Sequence, residues 1–186
     1  MNQLGTKRLE TERLILRKLE VSDIEPLYYN YGSDPQTASY VMWDKHKNID
    51  ETREYVESCI NAYNDNKYLW VVELKELKEP IGMIELLHIH SKYQTAEVAY
   101  AYGSKWWRNG YATEALKRVL HYGFCEVGLA VIEARHFSSN PASGKVMEKA
   151  GMKYEGRLRK RMINPTTKER EDLLVYSMLK EEEHEF

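Results

Sequence analysis

Apolar and polar positions along the chain follow two periods, and each period predicts one kind of element. Short apolar and β-branched runs between polar turns predict strands, whereas apolar residues repeating at spacings of three and four predict helices. The predicted strands are residues 13–19, 68–74, 81–89, 96–102, 131–135, 154–163 and 172–178. The predicted helices are residues 22–32, 50–63, 115–124 and 141–150.

Local signals at the ends of these elements predict their boundaries and order. Ser22 followed by Glu25 is a capping box that opens the first helix, and the Asp34-Pro35 pair stops it. Three successive strands with a polar turn at residues 76–80 predict an antiparallel meander, followed by strand, loop and helix. The expected fold class is α/β of the α+β type, with about seven strands and about four helices in one domain, residues 1–186. Residues 180–186 are expected to form an acidic, solvated tail.

Charge and composition narrow the class of function. The 27 Lys and Arg residues against 29 Asp and Glu give a net charge of −2, so the chain lacks the basic excess that binding a polyanion needs. No apolar run approaches the roughly 20 residues of a membrane span, and the N-terminal residues lack the apolar stretch of a secretory signal. We therefore expect a cytoplasmic protein without a DNA or membrane partner. Cys59 and Cys125 fall in apolar helical patterns and are expected to be packing residues, and no metal site is predicted.

The most informative segment runs from Trp106 to Ala115 and leads from a strand into a helix. The first turn of a helix presents unpaired backbone N–H groups at the positive end of the helix dipole, and such a turn binds phosphate. Gly110 and Ala112 allow a ligand to approach the backbone closely. The segment matches neither the phosphate loop with Lys-Ser/Thr nor the three-glycine dinucleotide fingerprint. On spacing alone, an ordinary turn before a helix is the competing interpretation.

A series of motifs then points to a known family. They are Thr11 to Arg17, Ala96 to Tyr100, Trp107 to Ala115, Asn140 to Ser143, Met147 to Met152, Glu155 to Arg159, Asp172 and Tyr176. In this order, over nearly the whole chain, the sequence resembles the GNAT superfamily of acyl-CoA-dependent N-acyltransferases. Within it, the sequence is similar to the group that includes the ribosomal-protein N-terminal acetyltransferases.

The resemblance implies a mixed, strongly twisted sheet that splays open, with acetyl-CoA inserted into the gap as cosubstrate. It implies that the strand edge near Ala101 and Tyr102 pairs with the pantetheine, which Asn140 also contacts. The residues that it assigns to the pyrophosphate loop are Trp107, Arg108, Asn109, Gly110, Tyr111, Ala112 and Thr113. The superfamily loop usually begins with Gln or Arg where this chain has Trp107, and Arg108 replaces a glycine common in the group. Backbone N–H groups supply the bonds to phosphate, so these changes need not abolish binding, and Arg108 adds charge.

Acetyl transfer to an amine needs a proton acceptor for the amine and a donor to the developing oxyanion. Glu97 is the first candidate base, because a carboxylate in an otherwise apolar strand is costly unless it is paired, hydrated or functional. The resemblance supports a glutamate in this region, and a salt bridge or a solvent-facing position is the alternative. Glu85 is the second candidate, followed by His88, His90 and His136, and a backbone N–H near Ala99 or Tyr100 is the candidate oxyanion donor.

The departing thiolate also needs a proton. Many members of the superfamily use a tyrosine at the position where this chain has Met147, which cannot donate one. Ser143 is therefore the candidate acid, as the similarity to the ribosomal-protein group also suggests. A helix cap is its alternative role, since serine is favoured at helix N-termini.

We expect transfer of an acetyl group from acetyl-CoA to a primary amine, either a protein N-terminus or a small amine, by direct attack in a ternary complex. A non-catalytic acyl-CoA-binding sensor or scaffold is the alternative. A third hypothesis is an RNA-associated protein that uses the basic residues 157–161, which otherwise form a solvated strand face. The aromatic segment 40–43 is either core packing or the wall of an acceptor pocket. Homodimers are common in such families, although no residue here predicts one.

Overall fold

The central sheet of the computed structural model is mixed and has the strand order β1-β2-β3-β4-β5-β6-β8-β7. The structure describes residues 2–65 and 67–183. All neighbouring pairs are antiparallel except β5 and β6, which run parallel. The strands are β1 (Leu9–Glu10), β2 (Leu14–Arg17), β3 (Tyr68–Leu74), β4 (Glu79–His90), β5 (Thr95–Tyr102), β6 (Val131–Phe137), β7 (Lys153–Ile163) and β8 (Arg170–Leu179).

Five α-helices accompany the sheet in the described residues, and two of them continue into π-helical turns. They are α1 (Ile24–Leu27), α2 (Pro35–Ala38), α3 (Ile49–Ala62), α4 (Tyr111–His121) and α5 (Pro141–Lys149), with π-helical turns at Tyr28–Gly32 and Tyr122–Val127. The predicted α/β class with an antiparallel meander is confirmed. The strand β1 is additional, because two residues are too few to produce a recognisable alternation. No helix in the described ranges has the length and apolar character needed to cross a bilayer.

Side chains alternate between the two faces of the sheet and build two cores. On the front face, Leu27 of α1 and Val56 of α3 pack against Val71 and Met83. On the back face, Leu116 of α4 joins a larger core that contains Trp70, Ile132 and Met147. Strand β5 follows this alternation, so Ala101 contacts the front core and Tyr102 the back core.

The first helical region begins one residue before Ser22 and ends at Gly32 as predicted, and a separate helix, α2, starts after Asp34. A 3₁₀ turn at Val21–Asp23 opens the first region, and the Asp23 carboxylate accepts the Glu20 N–H at 2.8 Å. Arg17 holds that carboxylate through two hydrogen bonds, so Asp23 replaces Glu25 as the capping acid. Asp34 caps α2, because its side chain accepts the Gln36 N–H at 2.9 Å.

Two other expectations are wrong. Cys125 is exposed rather than packed in the core, whereas Cys59 is buried as expected. Residues 180–183 are not a free tail: Lys180–Glu182 form a 3₁₀ turn, and the Glu183 carboxylate contacts His121. The remainder of the expected tail, residues 184–186, lies outside the described residues.

Candidate active site

Strands β5 and β6 separate halfway along their length. They pair only from Thr95 with Val131 to Glu97 with Glu133. Beyond Glu97, β5 remains paired with β4 on its other side, while β6 pairs with β8. The second half of β5 therefore presents a backbone edge that β6 does not cover, and such an edge can accept an extended ligand as an added strand.

The register shows which backbone groups face this gap. Gly103 N–H donates to Ile81 O, so the odd-numbered residues at the end of β5 point their N–H and C=O groups towards β4. The groups of Tyr100 and Tyr102 consequently point into the gap, whereas those of Ala101 face Met83. The Tyr102 carbonyl already accepts Trp107 Nε1–H at 2.7 Å and the Thr37 hydroxyl at 3.0 Å. The backbone groups of β5 that remain available to a ligand in the gap are therefore the N–H and C=O of Tyr100 and the N–H of Tyr102.

Two hydroxyl groups meet behind the gap. The Tyr100 hydroxyl donates to Ser143 O at 3.0 Å, and its oxygen lies 3.1 Å from Ser143 Oγ. Asn140 is the N-cap of α5, because its Oδ1 accepts the Ser143 N–H at 3.3 Å. The alternative role of Ser143 as the helix cap is therefore wrong, and its hydroxyl remains beside the gap. The role of Tyr100 was not predicted, since this contact joins residues 43 positions apart.

The loop before α4 ends in an uncapped helix N-terminus. Gly110 has φ +82° and no side chain to cap the first turn, so the N–H groups of Tyr111, Ala112 and Thr113 lack a capping side chain. Arg108 also has a positive φ of 65°, and its exposed guanidinium forms no ion pair with any described residue. This combination of free N–H groups, helix dipole and exposed arginine suits a pyrophosphate.

Arg13 fastens this loop to the sheet, a role that the sequence did not reveal. Its guanidinium donates to the Glu114 carboxylate at 2.7 Å and to the Asn109 carbonyl at 3.0 Å. The guanidinium also lies 4.6 Å from the centre of the Tyr111 ring. Glu114 additionally accepts the Thr11 hydroxyl and the Arg13 N–H. Since these bonds join the start of β2 to the first turn of α4, Arg13 positions the loop.

Glu97 lies on the front face at the last paired position before the gap. Its Oε2 is 3.3 Å from Arg135 Nη2 and 3.3 Å from His88 Nδ1, and 18% of its side chain is exposed. Arg135 also lies 3.4 Å from Glu133. Glu97 therefore forms the salt bridge that was the structural alternative to a catalytic role. It also lies at the mouth of the gap, where a catalytic group would be needed.

Glu85 occupies a different electrostatic environment on the same face. It is opposite Ala99 in the register, two positions beyond Glu97, where the pairing of β5 with β6 ends. Burial raises its pKa, although Lys67, with its Nζ 3.7 Å away, partly offsets this effect. A carboxylate with a raised pKa is suited to take up a proton near neutral pH.

The three candidate histidines lie apart. His88 is exposed and contacts Glu97, while His90 stacks on Tyr93 at 4.4 Å between ring centres. His136 is buried on the back face, where burial lowers its pKa and its Nδ1 lies 2.8 Å from Phe137 O. Of the three, only His88 lies beside a candidate carboxylate.

The aromatic segment 40–43 contributes partly to core packing and partly to the border of the candidate site. Trp43 packs against Tyr31 at 5.0 Å between ring centres and contacts the front core. Tyr40 instead lies 6.1 Å from the Trp107 ring, beside the loop before α4. Trp43 is therefore packing, whereas Tyr40 borders the candidate site.

A groove of about 450 Å³ adjoins Glu97 on the front face of β6, β7 and β8. Its walls carry both signs of charge. The Arg157 guanidinium binds Asp172, and that carboxylate also accepts the Lys160 N–H at 2.6 Å. The charged residues of the groove are Glu133, Arg135, Glu155, Arg157 and Arg161.

Comparison with known proteins identifies the family to which this chain belongs. Residues 13–153 match the family model described as "Acetyltransferase (GNAT) domain". The chain is 33% identical over 176 residues to "Uncharacterized N-acetyltransferase YoaA" of Bacillus subtilis (strain 168), covering 94% of this chain and 98% of that protein. It is 27% identical over 146 residues to the spermidine N(1)-acetyltransferase of Vibrio cholerae serotype O1, covering 78% and 82%.

Solved structures agree with this result. A GNAT-family acetyltransferase from Bacillus anthracis superposes with a TM-score of 0.83 at 30% identity, covering 94% of this chain and 99% of that chain. The ribosomal-protein-S5-alanine acetyltransferase of Vibrio fischeri has a TM-score of 0.81 at 18% identity, covering 96% and 100%, and shares the fold. Acetyl-CoA is the cosubstrate expected of such enzymes. The chain belongs to the GNAT family and is an N-acetyltransferase.

Proposed function

We propose that this protein transfers the acetyl group of acetyl-CoA to a small primary amine by direct attack in a ternary complex. The observation that carries the proposal is the separation of β5 from β6 after Glu97. It creates a slot that leads from the uncapped N-terminus of α4 to the Ser143 hydroxyl and the front-face carboxylates.

The residues of the slot fit the parts of acetyl-CoA. The N–H groups of residues 111–113 and the Arg108 guanidinium bind the pyrophosphate. The Tyr100 C=O and the Tyr102 N–H, which face the gap, orient the pantetheine amides. The Nδ2 of Asn140 has no hydrogen-bond partner among the described residues and is free for the same arm. When bound, acetyl-CoA supplies the acetyl group as an activated thioester.

Glu85 accepts the proton that the ammonium form of the acceptor must lose. Burial keeps its pKa above the ordinary glutamate value, and its position opposite Ala99 places it just beyond the start of the gap. Glu97 is held by Arg135 and serves as the negative charge that attracts the ammonium group. The proposed base is therefore Glu85, the second candidate from the sequence, and Glu97 positions the amine beside it.

Ser143 donates the proton that the departing sulfur needs, and the Tyr100 hydroxyl orients Ser143 Oγ. The Tyr100 N–H, which faces the gap, stabilises the negative charge that develops on the acetyl carbonyl oxygen during attack. Of the two protons that the amine nitrogen loses, one leaves through Glu85 to solvent. The second replaces the proton that Ser143 has given to sulfur.

The groove beside Glu97 supports a small acceptor. Its volume of about 450 Å³ has room for a small molecule, and its Glu133 and Glu155 carboxylates, set among three arginines, offer partners for an ammonium group. The related Vibrio cholerae protein named as a spermidine acetyltransferase also acts, by its name, on a small amine. A peptide N-terminus is the competing acceptor.

Calorimetric titration with acetyl-CoA, CoA and ATP, followed by thiol release over small amines and N-terminal peptides, tests the proposal. We expect binding of acetyl-CoA but not of ATP, and thiol release with small amines. Release only with peptides would overturn the acceptor class. Binding without release from any amine would favour the sensor, whereas absence of acetyl-CoA binding would overturn the proposed slot.

A further inference from the structure

The far end of α4 carries a cluster of three side chains that acetyl transfer does not use. His121 is the last residue of α4, and Cys125 follows it within the π-helical turn Tyr122–Val127. Glu183 follows the 3₁₀ turn Lys180–Glu182. Their imidazole, thiol and carboxylate groups face one another, and one ligand atom from each lies within 4.8 Å of the others.

The separations within this cluster approach those of a metal centre. Cys125 Sγ is 3.7 Å from His121 Nδ1 and 3.8 Å from Glu183 Oε2. Metal–ligand bonds of roughly 2.0–2.3 Å at a tetrahedral zinc ion separate the ligand atoms by about 3.3–3.8 Å. His121 Nδ1 and Glu183 Oε1 are closer, at 2.7 Å, and need to separate by about 0.7 Å around such an ion.

The burial of Glu183 is a second, independent observation. Only 9% of its side chain is exposed, and its ion-pair partner is a histidine that carries charge only when protonated. Burying a carboxylate is costly unless a cation or several donors compensate for its lost hydration. A divalent ion bound between Glu183 and His121 would supply the positive charge that the buried carboxylate needs, and it would be a common partner of both side chains.

Backbone hydrogen bonds hold the cluster in place, and two of its three side chains are open to solvent. Lys180 N–H donates to Ala130 O at 2.9 Å, and Glu183 N–H donates to Lys180 O at 3.2 Å, so the segment that carries Glu183 is anchored. Cys125 is exposed, and a third of the His121 side chain is exposed, which opens the cluster to solvent. A metal ion therefore has an entry path without unfolding the chain.

We propose that His121, Cys125 and Glu183 bind a divalent transition-metal ion of borderline softness, such as Zn²⁺, with water in the fourth position. Imidazole nitrogen, thiolate sulfur and carboxylate oxygen together match zinc, whereas calcium and magnesium prefer oxygen ligands alone. The ion joins the C-terminal segment to the end of α4. The site lies at the opposite end of that helix from Tyr111, about 15 Å along its axis, and is independent of the proposed acetyl transfer.

Cobalt titration tests this proposal directly. Tag-free protein is stripped of metal with a chelator, kept reduced, and titrated with Co²⁺ and then with Zn²⁺. We expect one equivalent of Co²⁺ to bind with a sulfur-to-cobalt charge-transfer absorption, which Zn²⁺ then displaces. Absence of that absorption in the wild-type protein overturns the thiolate ligand, and absence of any stoichiometric binding overturns the site.

Variants identify the ligands. Loss of groups that merely orient metal ligands weakens binding by about 10–100-fold, so Cys125→Ser and His121→Ala should weaken it by at least about 100-fold. Glu181→Gln is the matched control, because it removes a neighbouring exposed carboxylate and should leave the affinity unchanged. Equal affinities for Cys125→Ser and Glu181→Gln would overturn the proposal. Zn²⁺ should also raise the melting temperature of the wild-type protein but not that of Cys125→Ser.

Discussion

The Tyr100 hydroxyl oxygen lies 3.1 Å from Ser143 Oγ and connects β5 to α5 across the back of the open slot. Burial raises the pKa of Tyr100, so its hydroxyl stays protonated and acts as a fixed donor to Ser143 O. Ser143 is thereby held at the gap by a side chain from the strand that the cosubstrate is proposed to follow. This relationship ties the proposed acid to the same strand that forms the slot.

Replacing Ser143 should reduce acetyl transfer without weakening CoA binding. Because Ser143→Ala removes the proposed proton donor, we expect kcat to fall by about 100-fold. Tyr100→Phe preserves the packing of the ring but removes the orienting bond, so a smaller decrease is expected. Thiol-release kinetics and calorimetric CoA affinity measure the two effects. The exposed Ser139→Ala is the matched control, and full activity in Ser143→Ala would exclude its role as the acid.

The pH dependence should distinguish the two front-face glutamates. A base works when deprotonated, and burial raises the pKa of Glu85, so kcat/KM should rise with pH above the range of an ordinary glutamate. Glu85→Gln should remove this rise and lower kcat/KM by about 10²–10⁴-fold at neutral pH. Glu97→Gln should raise KM for the amine and preserve the pH profile. The reverse assignment would follow if only Glu97→Gln abolished the rise.

Arg13 should control CoA affinity through the loop. Arg13→Gln loses the bonds to Glu114 and Asn109 O that hold the first turn of α4. We expect CoA affinity to fall about tenfold, or about 1.4 kcal/mol, measured by calorimetry. Arg8→Gln removes an exposed arginine from the same end of the chain and should leave affinity unchanged. Equal affinities in the two variants would show that the loop holds its shape without Arg13.

Glu114 should contribute to acid stability. Burial raises the pKa of its carboxyl, but the hydrogen bonds from Thr11 and Arg13 outweigh this effect and lower it overall. A depressed pKa in the folded state gives stability that is present above the ordinary value of 4.5 and is lost as pH falls through the lower folded value. Glu114→Gln should therefore cost about 1–3 kcal/mol at pH 7 and less at acidic pH. Urea unfolding at both pH values measures the difference, and an equal loss at both would contradict this linkage.

Gly103 should tolerate no larger residue. A Cβ atom there would lie 1.7 Å from the Asn30 carbonyl oxygen, which is a backbone atom that cannot rotate away. Gly103→Ala should lower the free energy of unfolding by about 3 kcal/mol or more, measured by chemical denaturation. Gly156→Ala is the matched control, since a Cβ there meets no atom within 4 Å. Similar stabilities of the two variants would disprove the steric argument.

Much of the fold was predictable because its signals are local. Alternating and helical hydrophobic periods predicted the meander, and the strand–loop–helix order around Gly110 predicted the free N–H groups before α4. The capping acid of the first helix was misassigned, because Asp23 is selected by its contact with Arg17 rather than by spacing alone.

The sequence by itself determined the periodicities, the helix-start loop and the family resemblance, since each is carried by short segments whose residues are neighbours along the chain. Tertiary structure alone decided which side chains meet: Tyr100 with Ser143, Arg13 with Glu114, and Arg135 with Glu97. It also brought Glu183 to His121 and Cys125, 58 residues away from the cysteine. The physical reason is that such contacts depend on strand register and on how helices pack on the sheet, and neither is encoded in local spacing.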